Sequence, residues 1–158
     1  ITKYMEYLED AFLIEEANRY DIKGKSYIGT PSKYYFMDTG LLGLMLMDCS
    51  SAQLENLVAI ELIRRYGREN VFYFEKNVEI DFYVPEEKLA IQVSLQVLDQ
   101  IDTREREIGA FVKLKNFIGD ATCLLITNSE EEELDYEGVH VSVVPVWKWL
   151  LQNRKQDI

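Results

Sequence analysis

The stretch EIDFYVPEEKLAIQVS, residues 79–94, holds two strand-like runs on either side of a short turn. Side chains alternate across a strand. In the first run Ile80, Phe82 and Val84 share one face, and Glu79, Asp81 and Tyr83 the other. In LAIQVSLQV, Ile91, Val93, Leu95 and Val97 share one face, and Gln92, Ser94 and Gln96 the other. If both apolar faces meet one core, Asp81, Gln92 and Ser94 gather on the opposite side. That cluster is either a site or the polar outer face of a sheet.

The flanks decide what sheet these strands belong to. Residues 53–66, QLENLVAIELIRRY, place Leu54, Leu57, Val58 and Leu62 on one helical face, and Gly67 follows as a stop. Strands are expected at 71–75, 78–84 and 89–97, then a helix over 99–117. CLLIT and VHVSVV read as further strands, and Pro145 is expected to open a last helix, PVWKWLLQN. The order predicts an α/β fold with a central mixed sheet that contains a meander of three strands, and helices packed on it. Glu61 sits on the apolar stripe of the first of these helices, where an unpaired carboxylate is costly. It either pairs with Arg65 one turn on or faces the polar cluster beside Asp81. Glu55 lies near the edge of the same stripe.

A boundary near residue 50 divides the chain into 1–50 and 51–158. The N-terminal part opens on a helical face of Ile1, Met5, Leu8 and Phe12 without a capping residue, as expected of a helix from within a longer protein. Lys23-Gly24-Lys25 then turns between two strand-like runs. A helix followed by a hairpin matches the back half of a winged helix. Arg19, Lys23, Lys25 and Lys33 face only Asp21 in charge over this segment, and Tyr20, Tyr27, Tyr34 and Tyr35 are interleaved. Such a wing offers a nucleic-acid surface; lysines also protect a hairpin edge from aggregation.

The net charge is -11, which opposes generic binding to phosphates. Six of the acids lie in SEEEELDYE, 129–137, expected to be a solvated loop, with a cation or basic-partner site as the alternative. No apolar run reaches the ~18 residues of a membrane span, and no signal peptide opens the chain. Cys49 and Cys123 lack metal or redox spacing, which points to the cytoplasm. One histidine, His140, leaves no histidine-based zinc site.

Five segments in register, YLEDAFLI (7–14), PSKYYFMDTGL (31–41), LENLVAIELIRR (54–65), EIDF (79–82) and IQVS (91–94), make the chain resemble the C-terminal half of bacterial and archaeal AAA-type ATPases that carry the domain of unknown function 4143. The resemblance implies an upstream P-loop ATPase, a winged helix, and a domain similar to the PD-(D/E)xK, restriction-endonuclease-like fold. ATP would belong to the upstream module. GKS at 24–26 is no Walker A motif, because Arg19 stands where its first glycine belongs. Carried over residue by residue, Asp81 matches the metal-binding aspartate. Gln92 stands in place of its acidic partner and Ser94 in place of the lysine. Glu55 matches the glutamate of the first helix, with Glu61 second. Asp81 and Glu55 would be the ligands of a weakly held Mg²⁺, which prefers oxygen. Gln92 offers only a neutral oxygen, and Ser94 cannot supply the cation that a scissile phosphate needs. Lys113 or Arg104 on the next helix could replace it in space. The expected function is a non-catalytic accessory domain that binds DNA through the wing, or a protein partner, and couples this to the ATPase. The alternatives are a Mg²⁺-dependent nuclease with a relocated lysine and a purely protein-binding module.

Overall fold

A computed structural model describes residues 2–22, 32–45, 50–99 and 101–152. The elements are α1 (Thr2–Asp10), β1 (Ile14–Arg19), β2 (Lys33–Phe36), α2 (Thr39–Met45), α3 (Ser50–Tyr66), β3 (Phe72–Glu75), β4 (Glu79–Val84), β5 (Leu89–Val93), α4 (Ile101–Ile118), β6 (Thr122–Thr127), β7 (Glu132–Tyr136), β8 (Val139–Pro145) and α5 (Val146–Gln152). The strands form one mixed sheet in the order β2-β1-β3-β4-β5-β6-β8-β7. The expected meander is the antiparallel β3-β4-β5, and it lies toward the middle of the sheet. β1 pairs with β3, β5 with β6 and β6 with β8 in parallel, and the outer strands β2 and β7 pair antiparallel with β1 and β8. The sheet runs through the boundary expected near residue 50, since β1 joins β3 at Asn18↔Phe72 and Arg19↔Tyr73.

Both faces are covered. Ile108, Phe111 and Leu114 of α4 pack with Tyr83, Ala90, Leu125 and Val141 on one side. Val58, Ala59 and Leu62 of α3, with Trp149 of α5, pack on Phe82, Val84, Ile91 and Ile126 on the other. The four-residue spacing of Leu54, Val58 and Leu62 aligns them along one face, and all three are buried. Gly67 ends α3 with a positive φ of +81°, which favours glycine, its N–H returning to Ile63 O.

Three local expectations change. The acidic run is not all loop. Residues 132–136 form β7, paired antiparallel with β8, with Leu134 turned into the core and its acidic neighbours outward. Alternation, not composition, governs that segment. Glu130 also turns inward, accepting the N–H groups of Val97 and Leu98. Pro145 closes β8 opposite Thr127, and the helix begins at Val146. A proline at the end of a strand sacrifices little of the ladder. The strand expected over 89–97 stops at Val93. Among the described residues no helix is long and apolar enough to cross a membrane.

The β4 strand departs from simple alternation. Between Phe72↔Tyr83 and Phe74↔Ile80, two steps along β3 oppose three along β4. The extra residue is a β-bulge. It puts Ile80 in the cluster under α4, while Phe82 and Val84 stay with α3. The expected common face of Ile80, Phe82 and Val84 is therefore broken at Asp81.

Candidate carboxylate and lysine pocket

The β4–β5 pairing ends at Phe82↔Ile91, and beyond it the side chain of Gln92 bonds backbone groups of β4. Asp81 N–H donates to Gln92 Oε1 at 2.8 Å, and Gln92 Nε2 donates to Glu79 O at 3.2 Å. These two bonds fix the orientation of the amide. Asp81 Oδ2 in turn accepts the N–H of Val93 at 2.9 Å. Asp81 and Gln92 do lie together, as the sequence indicates, but Gln92 is buried and both polar atoms of its amide are spent on backbone. Ser94 lies outside the cluster. The strand has ended, and its hydroxyl donates to Gln96 O at 3.0 Å. It lines a separate hollow with Ser50, Ser51 and Arg106.

A pocket of about 500 Å³ opens beside Asp81, lined by Lys33, Glu55, Glu79, Gln92, Glu107 and Lys113 among others. Its centre is Lys33. The ammonium lies 2.8 Å from Glu79 Oε1, 3.7 Å from Glu55 Oε1 and 3.8 Å from Asp81 Oδ1. Lys33 thus departs from the exposed wing expected for it. Residues 33 and 35 of β2 point the same way, and the Tyr35 hydroxyl donates to Glu55 Oε1 at 2.9 Å. Arg19 is the terminal residue of β1, beside Tyr73 of β3. Lys23 and Lys25 lie outside the described residues. Of the cations that could replace the lysine, Lys113 lines the pocket and Arg104 does not.

Electrostatics follow from this arrangement. Burial pushes the Asp81 carboxyl up to about 7, and the nearby charge of Glu55 adds to it; the Val93 N–H and Lys33 pull the other way. Burial lowers Lys33, but the hydrogen bond to Glu79 and the charges of Glu55, Asp81 and Glu79 outweigh it and leave its pKa raised. The two partners respond differently to one ion pair. Lys33 shares a single charge among three carboxylates and stands closest to Glu79, so the buried Asp81 receives the weakest share. Tyr35 is held protonated, its pKa raised by burial and by Glu55.

The residues do not fit Mg²⁺ as they stand. An ammonium lies between the carboxylates, the Gln92 oxygen faces a backbone N–H, and one Asp81 oxygen is taken. Among the described residues no group of three or more His, Cys, Asp or Glu side chains is arranged to hold a metal.

Glu55 is the α3 acid of the pocket; Glu61 is not. Glu61 accepts from Arg65 Nε at 2.7 Å and chelates Arg64, and the Arg65 guanidinium reaches Trp149 O and stacks over its ring at 4.3 Å. The hydrogen bond from Arg64 holds the Glu61 carboxyl below its usual range against its burial, with Arg65 adding to the effect. Glu61→Ala strands a buried guanidinium. The pair is neither fully exposed nor fully buried, so the expected loss is about 2 kcal/mol, between the values for the two extremes. Urea denaturation checks it; a change under ~0.5 kcal/mol would place the pair among ordinary surface contacts.

The sequence reading missed Asn56 and placed Tyr35 on the wing, not in the pocket. Asn56, buried on α3, donates to Phe36 O and accepts from Phe36 N–H, both at 2.8 Å. Asn56 lies about 200° round the helix from Leu54, off the stripe of Leu54, Val58 and Leu62, so helical periodicity held no signal for it. For Tyr35 the signal was its two-residue spacing from Lys33.

Residues 1–53 match the model of a domain of unknown function (DUF8612). An uncharacterized protein of Haemophilus influenzae is 34% identical over 158 residues, covering 96% of this chain and 37% of its own length. The uncharacterized protein MJ1544 of Methanocaldococcus jannaschii is 36% identical over 163 residues, covering 96% of this chain and 36% of its own length. The chain spans a little over a third of the length of these curated relatives. No solved structure matches it.

Proposed function

We propose that the chain is a non-catalytic accessory module of a AAA-type ATPase, with a fold similar to PD-(D/E)xK nucleases and a role in holding DNA or a protein partner. The observation that carries this reading is the seat of Lys33. A nuclease pocket must present carboxylates to a metal and a cation to the phosphate; here the cation sits among the carboxylates instead. With Lys33 drawn inward, the wing has less charge for phosphates than its composition indicates. That turns the balance toward a protein partner for a chain of net charge -11.

One observation favours a second reading, a nuclease with a relocated lysine: Lys33 stands beside Asp81 and Glu55, in space if not in sequence. Incubation of plasmid, linear and branched DNA with Mg²⁺ or Mn²⁺ separates the two. No cleavage above background is expected. Reproducible cleavage that disappears in both Asp81→Ala and Lys33→Met would replace the accessory reading with the nuclease one.

A further inference from the structure

We propose that β7 is an open edge of the sheet at which an extended, basic segment of a partner protein adds as the next strand. The inference rests on the accessory reading for the role of a partner and goes beyond it in naming where and how one binds. Its own ground is the hairpin. A two-residue turn, Glu137-Gly138, joins β7 to β8, with both residues at positive φ. In such a hairpin the residues that flank the turn, Tyr136 and Val139, exchange both backbone bonds, as do Leu134 with Val141 and Glu132 with Val143. Glu133 and Asp135 fall between them, so their N–H and C=O groups point away from β8. Among the described residues β7 ends the sheet and nothing takes up those groups. The opposite edge differs: at β2 the Asn56 amide holds the outward groups of Phe36. An open edge accepts a strand from another chain through main-chain bonds.

Charge decides which strand fits. Residues 132–145 hold four carboxylates, Glu132, Glu133, Asp135 and Glu137, and no Lys or Arg. His140 is their one base, its ring nitrogens 3.1 Å from Glu133 Oε2 and 3.0 Å from Asp135 Oδ1. Ser142 Oγ also donates to Glu133 Oε2 at 2.7 Å. These contacts come from β8, on the inner side. They orient both acids, and among the described residues they leave the second oxygen of each for a partner. Lys115 reaches the turn but is spent on Gly138 O and Asp120. A strand added antiparallel sets one residue opposite Glu133 and another opposite Asp135, two positions apart and on the same face as the acids. Lys or Arg fits at both. The residue between them falls on the other face, beside Leu134, which belongs to the cluster under α4. An apolar side chain fits there. The segment recognised is therefore extended and reads basic, apolar, basic. A nucleic-acid backbone does not fit, because the acids of this edge repel phosphates.

The full chain is titrated with a capped synthetic peptide that alternates Lys with Val, while its backbone amides are followed by NMR and hydrogen exchange. The peptide is expected to bind saturably and to slow exchange at Glu133 and Asp135, leaving Phe36 unchanged. Glu133→Gln/Asp135→Asn is expected to bind it roughly tenfold more weakly, the size of two ordinary cross-strand charge pairs. Glu133→Pro removes an outward donor and spares the β8 ladder, and is expected to lose the protection. A peptide of the same composition with its lysines in one block cannot offer base and apolar residue in turn, and is expected to bind several-fold more weakly. No saturable binding, equal binding of the blocked peptide, or protection confined to other strands overturns the proposal. So does dimerisation of the chain that the peptide displaces, which would give the edge to a second copy. Should Glu133→Pro fail to fold, the double variant decides, since its changes lie on exposed side chains: unchanged affinity there overturns the proposal. The DNA-cleavage assay bears on the accessory reading alone. Without cleavage that reading stands whichever way the peptide falls, and cleavage removes it on separate grounds.

Discussion

Gln92→Glu is expected to destabilise the fold by about 3–5 kcal/mol near pH 8, the cost of an uncompensated buried charge, and far less near pH 4. The substitution looks like a repair, because it restores the acid that a nuclease-like pocket would carry. The hydrogen bonds say otherwise. Gln92 Nε2 donates to Glu79 O, and a carboxylate oxygen there would face another acceptor. The new charge would also lie beside Asp81 with 5% of the residue exposed. At low pH the protonated acid can donate to Glu79 O and restore the bond, so the cost grows as pH rises. Urea denaturation at the two pH values measures this. A variant as stable as the parent near pH 8 would mean that the Gln92 amide does not brace the start of β4.

Asp81→Asn is expected to act in the opposite direction. The folded state holds the Asp81 carboxyl at about 7 against an ordinary value of 3.8. Between those values the folded chain binds more protons than the unfolded one, so stability falls as pH rises through this window. At ~1.4 kcal/mol per pH unit the interval amounts to a loss of up to about 4 kcal/mol, complete above about pH 7. Asparagine cannot ionise and its side-chain oxygen can still accept the Val93 N–H. The variant should match the parent near pH 4 and exceed it by a few kcal/mol near pH 8. Denaturation midpoints that track the parent at every pH would show that Asp81 is ionised throughout.

These expectations rest on features that the sequence reveals unevenly. The order of strands and helices is legible because apolar periodicity is local. The Glu61–Arg65 pair is legible for the same reason, since four residues on a helix fix it. Asp81 and Gln92 fall together because alternation on two adjacent strands places them so. The bulge at Asp81 depends on how β3 and β4 twist against each other, which neither run announces alone. The seat of Lys33 is set by still longer connections: β2 pairs with β1, β1 with β3, and only then does residue 33 meet residues 55 and 79–81. A hairpin read in isolation turns its lysines to solvent.

Asn56 has a consequence beyond the pocket. Among the described residues β2 is an outer strand of the sheet, and its Phe36 N–H and C=O point away from β1. Open edges of this kind recruit strands from other molecules. Another chain adding itself at Phe36 would first have to break both bonds to the Asn56 amide. At the far end, β7 would bring Glu132, Glu133 and Asp135 against any copy of itself, with like charges face to face. A crowded solution of this protein thus meets a barrier to polymerising edge to edge at either end: at one a side chain already occupies the vacancy, and at the other the copies repel.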